Sequence, residues 1–262
     1  PLRFLTPVHF GDTSEGGNLE TISLTLGSDA LFGACCHEIS HDTELLHSFI
    51  KAVEEQQIVL SSLFPYCIDN DEYKLYVPAP MIQMESRNVP ATSFDDVKTA
   101  IAAHKKIKRI EYIRASELQQ FKEYVESDAS QKHMPTFGAK QTSAQVNMRG
   151  EKSLPYYVGN YQFMPHAGLY IIAGFHDDAH RALFEGILAV LGLVGIGGKR
   201  SGGYGKFELA DDPIALSEEG IYSDDSALYT LLHNVQGKVM CISACVPTSE
   251  EVPLLKKGFY KL

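Results

Sequence analysis

The sequence predicts an α+β fold whose elements run strand, helix, strand, long insertion, strand, helix, strand. Two stretches carry that prediction. Near the N-terminus an aromatic-rich strand is followed by apolar residues at helical spacing, and around residues 168–209 an apolar strand, a broad-faced helix and a further strand follow one another. Between them, residues of about 66–166 lack a regular period and read as an insertion.

Residues 3–10 read as a strand with Phe4, Val8 and Phe10 on one face. Pro7 cannot donate to a ladder, so this strand lies at an edge or bends there. Residues 12–18 form a polar, glycine-bearing loop. Ser28 is predicted to cap a helix along which Leu31, Cys35 and Ile39 recur, and Leu46, Phe49, Ile50 and Val53 mark a second one. Residues 58–63 make a strand that breaks at Phe64-Pro65. Inside the insertion, Tyr76-Val77-Pro78-Ala79-Pro80 reads as a turn-rich connector. Residues 95–113 read as a helix turning into a basic strand around Lys105, Lys106, Lys108 and Arg109, and residues 126–153 as a mobile loop or an extended hairpin. An apolar strand over 168–175 follows. Asp177 or Asp178 then caps a helix whose buried face is Leu183, Ile187, Val190, Leu191 and Val194. A glycine-rich stretch, 195–205, leads into a last strand over 204–209. This order is the βαββαβ pattern of a ferredoxin-like (RRM-type) domain, expected over 1–212 with the insertion at its centre. Residues 226–233 read as helical and 238–246 alternate like a strand, so 213–262 are expected to begin a second, degenerate ferredoxin-like domain.

A chain of 262 residues can bury a real core. No apolar run reaches the roughly 18 residues of a membrane span; the longest candidate, 187–194, is broken by Gly192. No charged-then-apolar leader opens the chain, so nothing points to secretion. The start at Pro1 without Met, and the stop after the strand-like 258–262, suggest missing ends. Five cysteines without a C-x-x-C pair, two of them adjacent, fit buried thiols in a reducing cytoplasm. The net charge is −10, but its distribution is uneven. Residues 1–96 carry 4 basic and 15 acidic side chains, 97–206 carry 15 and 9, and 207–262 carry 4 and 9. Positive charge is in excess only in the middle, which ends at the glycine-rich stretch. A local basic stripe suffices for phosphate contacts, while an acidic remainder suits protein neighbours.

The stretch 195–205 reads Gly-Ile-Gly-Gly-Lys-Arg-Ser-Gly-Gly-Tyr-Gly, six glycines in eleven residues. That many glycines carry an entropic cost, which suggests backbone brought close to a ligand. Successive N–H groups can form an anion-binding nest; Lys199 and Arg200 add charge for phosphate, and Tyr204 offers a ring for a base. A P-loop ending at Gly198-Lys199 would need Gly at 193 and Ser or Thr at 200, where the chain has Leu193 and Arg200. A dinucleotide fingerprint starting at Gly195 or Gly198 also fails at Arg200.

Loops of the form G-x-G-G-x-x-x-x-G-x-G after the last helix of a ferredoxin-like fold mark the RAMP superfamily of CRISPR proteins, and 195–205 fits that form. Six further stretches, in order along the chain, resemble the crRNA 5′-handle-binding RAMP subunits of type III-A (Csm) effector complexes. They are Thr6-Pro7-Val8-His9-Phe10-Gly11, Ser28-Asp29-Ala30-Leu31-Phe32-Gly33, Leu60-Ser61-Ser62-Leu63-Phe64-Pro65-Tyr66, Val77-Pro78-Ala79-Pro80, Lys105-Lys106-Ile107-Lys108-Arg109-Ile110 and Gly168-Leu169-Tyr170-Ile171-Ile172. The resemblance implies a non-catalytic scaffold without a cofactor. It would bind the crRNA 5′ handle, contact the large Cas subunit with the cyclase-type palm domain, and adjoin the backbone RAMP subunits. The residues it carries over to RNA binding are Gly197, Gly198, Lys199, Arg200, Ser201, Gly203, Tyr204 and Gly205, together with His9, Phe10, Asn147 and Arg149.

Two catalytic readings compete. His37-Glu38-Ile39-Ser40-His41 satisfies H-E-x-x-H and continues to His47, as in a zinc metalloprotease. Glu44 stands where the metzincin turn needs Gly, and the histidines lie off the apolar stripe of their helix. A RAMP repeat-processing endoribonuclease would share the loop but needs a general base, for which His9, His37 and His41 are the nominees.

Overall fold

The computed structural model describes residues 1–12, 18–80, 98, 110–121, 136–149, 152–234 and 239–253. In chain order the elements are β1 (Leu2–Phe4), α1 (Ser28–Glu38), α2 (Thr43–Glu54), β2 (Ile58–Leu60), β3 (Phe64–Asp69), β4 (Glu72–Pro78), β5 (Tyr112–Arg114), a 3-10 turn (Ala115–Gln120), β6 (Gly138–Arg149), β7 (Lys152–Phe163), β8 (Ala167–Tyr170), β9 (Ala173–Phe175), α3 (Asp178–Val194), a 3-10 turn (Arg200–Gly202), β10 (Phe207–Leu209) and α4 (Ser223–His233). They fall into two compact units. Unit 1 is Pro1–Leu75, Thr136–Ala215 and Ile242–Ala244; unit 2 is Tyr76–Pro135, Leu216–Cys241 and Cys245–Leu262. The stretch read as one insertion is therefore divided. Its two ends join unit 1, and its middle joins the chain beyond 215.

Unit 1 is built on an antiparallel sheet in which β10, β1, β8, β3 and β4 are successive neighbours. β2 and β9 pair as a continuation of the β3–β8 ladder, beyond a break at Ser61. The buried Ser61 hydroxyl bridges that break, accepting the Ile172 N–H at 2.9 Å and donating to the Ser62 carbonyl at 2.7 Å. Phe64-Pro65 thus opens a strand instead of ending one. Pro65 pairs with Leu169 and precedes the first β4 partner, Tyr66↔Leu75, so its missing N–H leaves no β4 carbonyl unmatched. The core gathers aromatic rings on β1: Phe4 stacks on Phe163 at 4.9 Å and meets Phe10 at 6.2 Å and Phe207 at 5.8 Å. Burying each such side chain stabilises by about 1.5–3 kcal/mol.

Helix ends depart from the sequence reading at one cap. α1 is capped by Gly27, and the Ser28 hydroxyl instead accepts the Ala244 N–H at 2.8 Å. Asp42 caps α2, its carboxylate taking the Leu45 N–H, and Asp177 caps α3 by taking the His180 N–H at 2.9 Å. The buried face of α3 is Phe184, Ile187, Leu188, Leu191 and Gly192. Val190 and Val194, assigned to that face from their spacing, are exposed, and Leu183 is half-buried. Gly33 in α1 and Gly186 in α3 have no atom within 4 Å of an added Cβ. Gly33→Ala and Gly186→Ala are each expected to stabilise by about 0.5–1 kcal/mol in denaturant melts.

Burial pushes the Cys35 thiol and the Tyr66 and Tyr161 phenols up to about 12, from ordinary values of 9.0, 10.0 and 10.0. Each group stays neutral in the folded chain while the unfolded chain ionises first. The stability this holds is complete below about pH 9 and falls as pH climbs towards 12. A urea midpoint that declines over that window is expected; a flat one would contradict it.

Of the two forms allowed for 126–153, the described residues 138–149 and 152–153 belong to an extended hairpin, and 126–135 and 150–151 lie outside the described residues. β6 and β7 pair without a break from Gly138↔Phe163 to Arg149↔Lys152. Paired residues share a face, so Gln145, Tyr156, Asn147 and Leu154 lie on one side and Ala144, Tyr157, Val146 and Met148 on the other. In unit 2, Tyr76–Pro78 of β4 pair with β5, so the expected turn-rich connector begins as a strand. The basic segment 105–109 lies outside the described residues. Helix α4 begins three residues before its predicted start, and its Asp225 carboxylate accepts the Ile221 and Tyr222 N–H groups at 2.9 and 3.0 Å. No strand forms over 239–246. Two groups from this stretch bond within unit 1: the Ile242 carbonyl accepts the Ser62 N–H, and Ala244 N–H reaches Ser28. Cys35 and Cys67 are buried as expected of inert thiols, but Cys241 and Cys245 are exposed.

Candidate nucleic-acid interface

The 195–205 loop joins α3 to the approach of β10 and lies against residues 5–10. Gly198 N–H donates to the His9 carbonyl and Gly205 N–H to the Pro7 carbonyl, both at 2.8 Å. Lys206 N–H donates to Thr6 Oγ1 at 2.9 Å, and Leu5 N–H to the Lys206 carbonyl at 2.8 Å. This stitching explains most of the glycines. A Cβ on Gly197 would sit 2.7 Å from the His9 carbonyl oxygen and 2.8 Å from the Phe10 ring, and one on Gly205 would sit 2.0 Å from the Ile196 carbonyl oxygen. Both residues also hold positive φ, +86° and +77°.

The anion nest expected from composition is correspondingly smaller. The N–H groups of Gly195, Ile196, Gly198, Gly202, Gly203 and Gly205 all donate to backbone carbonyls. Those of Lys199, Arg200 and Ser201 have no protein acceptor among the described residues. These three residues, with Val194 and Gly197, line an open groove of about 460 Å³.

The two loop cations face different surroundings. Lys199 holds a left-handed backbone, φ +62°, which costs a non-glycine residue about 1 kcal/mol or more. Its ammonium lies 5.2 Å from the centroid of the Tyr156 ring, and the Tyr156 hydroxyl donates to Gln145 Oε1 at 2.6 Å. The loop thereby meets the β6–β7 hairpin in the half of its ladder nearer Arg149↔Lys152. Arg200 turns the other way, towards α1: Nη1 is 3.7 Å from Glu38 Oε2 and Nη2 is 3.4 Å from His37 Nδ1.

Of the residues selected from sequence, the structure brings Gly197, Gly198, Lys199, Arg200, Ser201, Gly203, Tyr204 and Gly205 together in this loop. Ser201 is exposed and Tyr204 half-buried. His9 and Phe10 lie under the loop, 6 % and 2 % exposed, where their chain supports it. His9 Nδ1 is 2.7 Å from the Gly159 carbonyl, which fixes the proton on that nitrogen. Asn147 is exposed two pairs beyond Gln145, and Arg149 pairs with Lys152 at the far end of the hairpin. Tyr156, Gln145 and Glu38 were not selected, because only the hairpin register and the fold of α1 against the loop bring them here.

The zinc reading fails on geometry. α1 ends at Glu38 with Ile39 as its C-cap, so His37 and His41 do not share a face of one helix. His37 moreover faces a guanidinium. Among the described residues no cluster of three His, Cys, Asp or Glu is placed to hold a metal ion. The nuclease reading is weakened at His9, whose ring is buried and engaged with Gly159.

No protein-family model matches the chain. A curated relative, the CRISPR system Cms protein Csm4 of Streptococcus thermophilus, is 24 % identical over 257 residues, covering 97 % of this chain and 75 % of that protein. Solved structures with a similar chain include a Csm1–Csm4 cassette in complex with AMPPNP, at TM-score 0.43 and 20 % identity over 72 % of this chain. This chain spans 62 % of the length of that one. Another is the Csm3–Csm4 subcomplex of a type III-A CRISPR-Cas interference complex, at TM-score 0.44 and 17 % identity, covering 80 % of this chain and 68 % of that one. With the ordered motifs and a similarity that runs along nearly all of its length, the chain is Csm4-like.

Proposed function

We propose that this chain is a non-catalytic subunit of a type III-A CRISPR interference complex, acting in the cytoplasm in antiviral defence, and that it binds the 5′ handle of crRNA. The observation that carries the reading is the loop itself. A rigidly stitched backbone presents Lys199, Ser201 and three uncommitted N–H groups to an open groove, beside a tyrosine and an exposed hairpin. Phosphate favours such donors and bases stack on such rings. RNA-facing roles go to Gly197, Gly198, Lys199, Ser201, Gly203, Tyr204 and Gly205, with Asn147 and Arg149 extending the track along the hairpin, while Arg200 serves the same loop through its contacts with Glu38 and His37. His9 and Phe10 contribute from beneath the loop.

The partners follow from the Csm4 relationship: the large Cas subunit, named Csm1 in one related structure, and the backbone RAMP subunit, named Csm3 in another. The fold reading is the ferredoxin-like one. The order β10–β1–β8–β3, with α1 and α2 between β1 and β3 and α3 between β8 and β10, supports it. The part of unit 2 beyond 215 then corresponds to the degenerate second domain expected over 213–262.

The full chain is expected to bind a repeat-derived RNA oligonucleotide with salt-dependent affinity. Lys199→Ala should lower the slope of log K against log salt by about 0.7–0.9. Filter binding over a range of salt concentrations measures both. Absent binding, or metal-independent cleavage of the RNA that is abolished by His9→Ala, would overturn the reading in favour of the nuclease or of a purely structural subunit.

A further inference from the structure

We propose that Arg200 is a positioning residue, clamped by Glu38 and His37 so that it holds the 195–205 loop from inside, and that Lys199 is the cation of this loop that RNA phosphate meets. The inference rests on the RNA-binding reading for its second half only; the clamp itself is a property of the free protein.

Two adjacent cations in a glycine-rich loop look equivalent, and their surroundings separate them. The Arg200 side chain is 27 % exposed and that of Glu38 is 16 % exposed, so the pair lies partly out of water. Arg200 Nη1 is fully buried, makes no hydrogen bond, and has the Glu38 carboxylate as its ion-pair partner at 3.7 Å. Nη2 donates to His37 Nδ1, which accepts only while that nitrogen carries no proton. A phosphate drawn to this guanidinium would have to approach a carboxylate already there. A charge neutralised within the protein releases no counterion from RNA when RNA binds. Lys199 differs: among the described residues no carboxylate pairs with it, and its ammonium rests over the Tyr156 ring beside the groove.

The position of Arg200 in the chain gives the clamp its effect. Arg200 opens the 3-10 turn Arg200–Gly202, its carbonyl accepts the Gly203 N–H, and the Lys199 carbonyl accepts the Gly202 N–H, both at 2.8 Å. Lys199 immediately precedes it in a left-handed conformation that an unrestrained lysine would leave. Tying the Arg200 side chain to α1 therefore fixes the turn and keeps Lys199 in the backbone conformation from which it reaches the groove. The same contact gives the His37-Glu38 pair a role other than metal binding.

The test compares Lys199→Ala, Arg200→Ala, Arg200→Lys and Glu38→Gln in the full chain, by RNA binding across salt concentrations and by amide hydrogen exchange of the free protein. The clamp predicts that Arg200→Ala and Glu38→Gln each weaken RNA binding by about 3–10-fold with the salt slope unchanged, whereas Lys199→Ala lowers the slope. It also predicts faster exchange at Gly202 and Gly203 in Arg200→Ala and Glu38→Gln but not in Lys199→Ala. Arg200→Lys, which keeps charge but not the fork, should give an intermediate effect on exchange and serves where Arg200→Ala does not fold. A slope that falls as far in Arg200→Ala as in Lys199→Ala overturns the proposal. So does tighter RNA binding in Glu38→Gln, since Arg200 would then have been freed for phosphate. If the unaltered chain binds no RNA, the reading of function fails, and the exchange rates alone decide the clamp: unchanged Gly202 and Gly203 amides would sink it.

Discussion

Arg114→Ala is expected to destabilise unit 2 by about 3 kcal/mol, because it removes the cation paired with a carboxylate that has no access to water. Asp224 is fully buried, its side chain 0 % exposed. Arg114 donates to Asp224 Oδ2 from both Nε and Nη2, at 3.2 and 3.1 Å, and Ser116 N–H donates to Oδ1 at 3.1 Å. These bonds tie the 3-10 turn after β5 to the start of α4. Removing the guanidinium takes both of its bonds away from Oδ2 of a buried negative charge. Replacing both partners by apolar residues of similar size, as in Arg114→Met with Asp224→Leu, should cost far less than either single change, since no charge remains to desolvate. Thermal melts of the single and double variants measure the difference. A single variant as stable as the parent would show that water reaches Asp224.

Gly205→Ala should be nearly as severe, at about 2–4 kcal/mol. The new methyl would overlap the Ile196 carbonyl, backbone that cannot swing away, at a φ of +77° that alanine resists. The bond from Gly205 N–H to the Pro7 carbonyl would be lost with the displacement, and with it one of the links between the loop and the first strand. Gly203→Ala provides the control. Its φ is +85° but no atom lies within 4 Å of the added carbon, so only the conformational cost of about 1 kcal/mol applies. Equal losses at the two positions would mean that steric contact with Ile196 plays no part. RNA affinity should fall with stability at Gly205.

Much of unit 1 was legible because its signals are local. Phe4, Val8 and Phe10 are all buried as their alternation implies, although the strand expected over 3–10 stops at Phe4 and Val8 pairs only through a single bridge to Tyr161. The 3.6-residue period of α3 is set by its own sequence, as is the aspartate that caps it. What could not be read depends on residues far apart in the chain. The second unit unites 76–135 with 216–241 through contacts such as Arg114 with Asp224, 110 positions away, which no periodicity signals. Ser28 has the residue type of a cap, but the hydroxyl was drawn to Ala244. The glycine-rich loop was found for a reason that proved incomplete. Composition suggested that the glycines admit a ligand, and the geometry shows that Gly197 and Gly205 first admit neighbouring backbone. His37-Glu38 likewise has the composition of a metal motif and the surroundings of an arginine partner.

The two-sided hairpin constrains how this protein can vary. Its polar side reaches Lys199 through Tyr156, while Val146, Met148 and Tyr157 are exposed on the other. Side chains on a ribbon alternate strictly, so one residue gained or lost on the loop side of Gln145 would exchange the two sides beyond it. The arm can therefore grow or shrink only by even steps in each strand, as a zip shortened by whole teeth still closes, and odd changes in length must fall outside the paired residues Gly138–Arg149 and Lys152–Phe163.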